Sequence, residues 1–539
     1  MSFEVELRAG SDGPAEPSAD DGPRPAAGRD RGGDDRRWVF EETEELILRR
    51  PAADRETDGA PTLIGFPAMV ARTERTLTWL PSLAALFLPM VLILGLLLWL
   101  DRGRHGWLGW MVTIWWSLPV IGSVVGVCGM LGARRRIRAA GRLWDSRVVL
   151  AKRDTLLVVV PTIGRPDTYP ALERVVRSYC AHLPGFFGDV RVDIVTEEGC
   201  GAARQIEELA HQLKSVRVLT VPASYRTPRG TRFKARANHY AHEVRIAEGE
   251  ARENVWVLHM DDDTAVGPDT AVALARFLEQ QRHAERRGAH KHLAQGILTY
   301  PREHALNIWT WLADAARPAA DLAQFSVFTG HGTPLAGLHG ELLLVRASIE
   351  AEIGWDFGPK AIVEDAQWAL IFARRHPGRA GWFNGRCYGA SPATLRDFVK
   401  QRDRWAWGLI ALSMNRTLPF RDRLMILYSM VAWLLSPLQH VGVILLLGAA
   451  TGTLDTAPVT AAVLPIWALN VGYAVWTYWE GLKVNRYSSR DTRRRGWEMF
   501  AVIALIPLFS LFEACGAVRG LWRCVRGEEN RFVVIAKPA

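Results

Sequence analysis

Lysine is nearly missing from this 539-residue chain: only 8 of its 66 basic side chains are Lys, so almost all of the positive charge is guanidinium. With abundant alanine, that bias reads as a GC-rich bacterial genome. Cysteine is also scarce. Cys128, Cys180, Cys200, Cys387, Cys515 and Cys524 lie far apart with no Cys-x-x-Cys pair. That excludes a disulfide framework or zinc ribbon and fits a reduced, cytoplasmic setting. There is no Walker phosphate loop, no Ser-His-Asp or Cys-His order, and no metal-ligand spacing among the 14 histidines. No long apolar run begins before about residue 80, so no secretory signal is expected. Charged residues, at 23%, are too many for a chain made almost wholly of membrane spans and unlike a wholly disordered one.

What is present is unevenly spread. Mean hydropathy is close to zero because polar and apolar stretches cancel. Residues 1–60 carry 16 acidic and 9 basic side chains amid Gly and Pro, and read as a disordered tail. The remaining body is strongly basic. Two membrane spans are expected within residues 80–132. Leu83–Leu100 is 18 residues without a charge, and Trp107–Leu131 follows a short loop. Trp79, Trp99, Trp107 and Trp110 stand near the span ends, where indole favours the interface, and the arginine cluster ARRRIR that follows should face the cytoplasm. Apolar runs return within 424–520, as Leu424–Ala450, Val459–Trp479 and a third run, Met499–Val518, interrupted by Pro507 and Glu513. The first two predict spans. The third is either a span or a re-entrant helix, leading into a basic tail over 521–539.

Residues 150–390 contain no span and read as a cytoplasmic α/β domain. Thr155–Val160, Arg191–Thr196, Val216–Val221 and Asn254–Met260 predict four strands separated by helical patterns, hence a doubly wound sheet with its ligand at the strands' C-terminal ends. Asp261, Asp262 and Asp263 fall at such an end. Adjacent carboxylates repel, and hard oxygen ligands of this kind suit Mg²⁺ or Mn²⁺ holding substrate phosphates. A solvated acidic loop is the blander alternative. Further on, Glu364 and Asp365 open a predicted helix, where carboxylates complement the helix dipole or, facing a hydroxyl, act as a general base. Residues 391–415 predict an amphipathic helix at the membrane surface, with Arg396, Lys400, Arg402 and Arg404 off its apolar face. Gln401, Arg404 and Trp405 bring a hydrogen-bonder, a cation and an aromatic platform close together on it.

An acidic DxD after a strand, an ED pair about a hundred residues on, and QxxRW on an amphipathic helix beside spans together resemble the membrane-embedded family 2 glycosyltransferases of GT-A fold. Cellulose and hyaluronan synthases share that plan. The closer resemblance is to the Egghead-type β-1,4-mannosyltransferases. It is carried by Tyr225-Arg226-Thr227, Phe233 to Ala237 (FKARA), His259-Met260-Asp261, GILTY at 296–300, WLAD at 311–314, SPATLRDF at 391–398 and Phe532-Val533-Val534.

The resemblance implies a GT-A (Rossmann-like) α/β domain inserted between transmembrane helices. It makes Asp261 and Asp263 the DxD acids, with Asp263 nearest the metal, and Asp365 the general base. Lys234, Arg236, Gln401, Arg404 and Glu197 would hold the nucleotide-sugar donor, Glu197 standing where the family often carries Asp. Trp405, Glu364 and His339 would lie on the acceptor side.

The expected function is therefore inverting transfer of a hexose, mannose from GDP-mannose or a sugar from a UDP donor, to a lipid-linked or membrane-proximal glycan acceptor. The expected place is the bacterial inner membrane, among membrane lipids. The rivals are a processive β-polysaccharide synthase and an inactive nucleotide-sugar-binding or export component. Nucleic acid is not an expected partner, because the arginine clusters flank spans rather than line a soluble face.

Overall fold

The computed structural model describes residues 83–100, 114–143, 151–437, 451, 463–489 and 496–528. The expected tail over 1–60, most of 435–462 and the last residues lie outside them. One sheet of eight strands organises the chain: β1 (Ala151–Pro161), β2 (Phe187–Glu197), β3 (Val216–Val221), β4 (Val255–His259), β5 (Ala265–Val266), β6 (Leu293–Thr299), β7 (Leu343–Arg346) and β8 (Ala380–Tyr388). Their spatial order is β3-β2-β1-β4-β7-β6-β8-β5.

The four expected strands are present and mutually parallel, β1 pairing with both β2 and β4, and β2 with β3. Continuous runs such as Leu156–Val160 are buried on both faces, as a strand covered by helices on each side requires. Helices Tyr169–His182, Ala203–Gln212 and Phe233–Ala247 make the crossovers.

The doubly wound expectation does not extend to the other half. There β7 runs antiparallel between β4 and β6, and β5 antiparallel to β8, while β6 and β8 are parallel. The physical reason is the connection. β7 is reached by the long excursion over 300–342 rather than by a single crossover helix, so nothing forces it parallel.

Among the described residues one helix, Ile114–Arg136, is long and apolar enough to cross a membrane, and Leu83–Leu96 is a shorter apolar one. The run over 459–479 appears as helix Leu464–Tyr487. Met499–Val518 is resolved as two helices, Gly496–Ala504 and Ile506–Val525, bent by 54°. These elements are tied to the sheet domain by directed bonds. Asn485 Oδ1 accepts from the Tyr300 amide at 2.8 Å, Ser489 Oγ from the Arg302 amide at 2.8 Å, and Ser326 Oγ from Arg136 at 2.6 Å.

Candidate active site

The three acids after β4 point to different partners. Asp261 pairs with Lys234 Nζ. Asp262 Oδ2 accepts from the Thr162 hydroxyl at 2.8 Å, joining the ends of β4 and β1. Asp263 is buried, close to the Arg174 guanidinium. His259, just before them, is not a ligand. It faces Glu350 at 2.8 Å, and that carboxylate also receives Arg245 at 2.6 Å and Trp355 at 2.7 Å. This buried network fixes the strand end from below.

Lys234 and Arg236 lie in the first turn of helix Phe233–Ala247, where a cation opposes the helix dipole. Specific partners offset this. Burial works against the charge on Lys234, but Asp261, Glu364 and Glu341 around it raise its pKa above the ordinary lysine value. Arg236 pairs with Glu197 and donates to the Pro222 carbonyl at 2.9 Å. Glu197 is thus held by protein at the end of β2. Phe233 itself has φ of 58°, which a bulky residue adopts only under strain.

Opposite stands the loop His339–Leu342, each residue of which is pinned separately. His339 Nε2 pairs with Asp321, whose other oxygen accepts from the Leu298 amide at 2.8 Å. Burial opposes the charged imidazole, but Asp321 prevails and raises the His339 pKa. The Gly340 carbonyl accepts from Lys234 at 3.3 Å, and any side chain at 340 would overlap that ammonium. Glu341 is hydrogen-bonded to Asp261; burial, then the Asp261 charge, pushes its carboxyl up to about 8. The Leu342 amide donates to Met260 Sδ at 3.3 Å, and Leu342 is, with Phe233, one of the two described non-glycine residues at positive φ. Asp321 opens a short π turn, Asp321–Phe325, of the kind found at functional sites. His339 is therefore a braced residue of the loop, its Nε2 already spoken for.

Glu364 and Asp365 open helix Glu364–Arg375, with both carboxyls in its first turn. Burial and the neighbouring Asp365 push Glu364 up to about 7, and burial raises Asp365 as well. Asp365 Oδ1 accepts from the Ala366 amide at 2.8 Å. The pair reaches the same cleft as the strand-end acids, since Lys234 and Asp261 both act on Glu364 and Asp365.

The helix expected over 391–415 is observed as Leu395–Ser413, with Thr394 as its cap accepting from the Asp397 amide at 3.1 Å. It packs directly behind the ED pair through Gly408 and Val363. The surface reading of its arginines fails for Arg402, which is 0% exposed. Arg402 donates to Glu513 at 2.8 Å and to Gln401 Oε1 at 2.5 Å, and pairs with Asp314. Tertiary carboxylates from two other segments draw it inward. Gln401, Arg404 and Trp405 are each partly exposed. The Trp405 ring lies under two guanidiniums, Arg317 at 3.9 Å and Arg402 at 4.6 Å.

Lys234, Asp261, Glu364 and Asp365 are thus gathered in one place, with Glu341 added. The sequence reading leaves Glu341 and Arg402 out of the site, although it names His339, two residues before Glu341, and the helix that carries Arg402; Glu341's place beside His339 is the available signal. Among the described residues no three His, Cys, Asp or Glu side chains converge as a ready-made metal cage. A hard divalent ion does not need one. Mg²⁺-type ions take one or two carboxylates and complete their shell with water and substrate phosphate, and the acids at 261–263 fit that donor set.

Residues 256–479 match the profile of the Glycosyl transferase family group 2. Among curated proteins, the chain is 29% identical over 297 residues to the β-1,4-mannosyltransferase egh of Drosophila melanogaster, covering 53% of this chain and 59% of the fly protein. It is 28% identical over 235 residues to β-1,4-mannosyltransferase bre-3 of Caenorhabditis elegans, covering 43% of this chain and 49% of that protein. The matches thus span only about half the length of these relatives. Among solved structures, the mannosyltransferase PcManGT of Pyrobaculum calidifontis, in complex with GDP-Man and Mn²⁺, is 16% identical with a TM-score of 0.43, covering 76% of this chain and 98% of that one. TarS 1–349 of S. aureus in complex with UDP is 13% identical with a TM-score of 0.31, covering 71% and 94%.

Proposed function

We propose, from the match of residues 256–479 to the Glycosyl transferase family group 2 profile and from the α/β sheet they share with residues 151–255, that this chain transfers a hexose from a nucleotide-sugar donor to an acceptor hydroxyl with inversion. The observation that carries the proposal is the meeting of Lys234, Asp261 and the raised Glu364–Asp365 pair in one cleft.

Asp365 takes the proton of the acceptor hydroxyl, and its raised pKa makes it a better base than an ordinary aspartate. The acceptor oxygen then bonds to the anomeric carbon as the bond to the leaving phosphate oxygen breaks. The nucleoside diphosphate departs with that electron pair. Lys234, Arg404 and the N–H donors of Gln401 stabilise the negative charge that develops there. An α-linked donor gives a β-linked product. Asp261 and Asp263 would hold a divalent ion, which when bound neutralises the donor diphosphate. Arg236 and Glu197 form the wall on the nucleoside side, and Trp405 lines the acceptor side.

Likeness to β-1,4-mannosyltransferases favours mannose from a GDP donor, and the apolar helices favour a lipid-borne or membrane-proximal acceptor at the bacterial inner membrane. Single addition is favoured over processive synthesis because the four or five spans the sequence predicts are few for a dedicated channel.

The test is a donor screen on the full chain in detergent, with GDP- and UDP-sugars, Mn²⁺ and candidate lipid acceptors, reading released nucleotide. GDP release with GDP-mannose, stopped by chelating the metal, is expected. Release unaffected by chelation removes Asp261 and Asp263 as metal ligands. No release from any donor would falsify the transferase reading and favour a binding protein.

A further inference from the structure

We propose that helix Ile506–Val525 is a working part of this site, Glu513 acting through Arg402 as a positioning residue for Gln401 and Trp405. The inference rests on the transferase reading above and concerns a segment beyond the family match, which ends at residue 479.

Arg402 has no exposed surface, and all three of its guanidinium nitrogens are engaged. Nε donates to Glu513 at 2.8 Å, Nη1 to Gln401 Oε1 at 2.5 Å, and Nη2 to Asp314. A planar, rigid fork cannot adjust one of these contacts without moving the others. Its hold on Gln401 has a chemical consequence. Arginine only donates, so the atom facing it must be the amide oxygen, and the NH₂ group of Gln401 is the end left for another partner. Two N–H donors suit an anionic oxygen such as that of a diphosphate, whereas the opposite flip would present a repelling carbonyl. The same guanidinium lies 4.6 Å from the Trp405 ring centroid. Asp314 also faces Arg317 at 3.6 Å, and Arg317 lies 3.9 Å from that ring. Glu513, Arg402, Asp314 and Arg317 therefore form one continuous chain of charge around Gln401 and Trp405.

The C-terminal helix is held at a spacing that leaves no slack. A Cβ at Gly516 would lie 2.9 Å from the Val399 carbonyl, and one at Gly520 2.6 Å from the Asp403 carbonyl. Backbone meets backbone, as small residues four apart allow. Gly516 is one helical turn from Glu513, so the close approach and the carboxylate share a face.

The experiment is a double-mutant cycle on the full chain in detergent, reading GDP and UDP affinity by calorimetry in the presence of Mn²⁺. Glu513→Gln keeps the side chain's shape and removes its charge. It should weaken nucleotide binding about tenfold, and Gln401→Ala should do the same. If Glu513 acts through Gln401, Glu513→Gln in the Gln401→Ala background should have almost no further effect. Additive losses, or unchanged affinity in Glu513→Gln, overturn the proposal. Should Glu513→Gln not fold, Glu513→Asp keeps the charge on a shorter arm and enters the same cycle with an intermediate loss expected. If the native chain binds neither nucleotide, the transferase reading fails separately. Amide hydrogen exchange then decides the coupling: faster exchange over 399–406 in Glu513→Gln sustains it, and unchanged exchange sinks it.

Discussion

On the flank built from β1 to β4, the charged contacts of Lys234 and Arg236 join elements close in sequence: Lys234 meets Asp261 27 residues on, and Arg236 meets Glu197 39 residues back. On the flank built from the 395–413 helix, Arg402 reaches Asp314 88 residues before it and Glu513 111 residues after it. The first flank is an ordinary parallel sheet whose strand ends carry the polar groups. The second has no sheet to fix it and is held by a buried ion network and a close glycine contact. Lys234, Arg236 and Glu197 are thus set by local topology, and Gln401 and Trp405 by tertiary packing.

The sharpest way to break that contrast is Asp365→Asn. If the base lies on the packed flank and the donor is held mainly by the other, kcat should fall by about 10³-fold while nucleotide affinity stays nearly unchanged. A matching loss of affinity, measured by calorimetry, merges the two flanks into one unit; unchanged turnover removes Asp365 as base.

Gly520→Val tests the packing itself. The added Cβ would sit 2.6 Å from the Asp403 carbonyl and 2.9 Å from Ala406 Cβ, so denaturant unfolding should show a loss of about 1–3 kcal/mol. A neutral result means the helices separate without cost, and the second flank is looser than described.

Glu364→Gln probes the cleft electrostatically. A carboxyl raised from 4.5 in the unfolded chain to about 7 in the folded one costs nothing below pH 4.5. The cost grows as pH rises and is complete above about 7. Glu364→Gln should therefore gain on the native protein between pH 5 and pH 8, by about 1–3 kcal/mol across that window. A pH-independent difference shows that Glu364 ionises normally.

The smallest effect belongs to the regular flank. Arg204 is paired with Glu208 at 2.8 Å but its side chain is 91% exposed. Arg204→Ala should change stability by less than about 0.5 kcal/mol in the same unfolding assay.

What could be read from the sequence follows the same division. β1 to β4 were legible because each is a short apolar run with a turn signal after it, and the acids at 261–263 announce themselves by adjacency. The helix Leu395–Ser413 was legible from its apolar spacing. The burial of Arg402 was not. On a helical wheel it is one more cation among Arg396, Lys400 and Arg404, and only the arrival of Asp314 and Glu513 turns it inward. The antiparallel β7 was hidden for a related reason: a run as short as Leu343–Arg346, three apolar residues and an arginine, specifies a buried strand but not its direction. Glu341 lay in a recognised loop, yet its partner Asp261 belongs to a different strand end, which no spacing reveals.

The ion network around Arg402 also imposes an order of events on a ribosome. When Arg402 emerges, Asp314 is already available, but Glu513 is 111 residues from being made. Until then the guanidinium has half of its carboxylate complement, and the helix that carries it cannot settle with that cation fully shielded from water. The sheet domain has its strands complete by residue 388, so the nascent protein passes through a stage in which the Lys234–Asp261 flank is formed and the wall carrying Gln401 and Trp405 is still open.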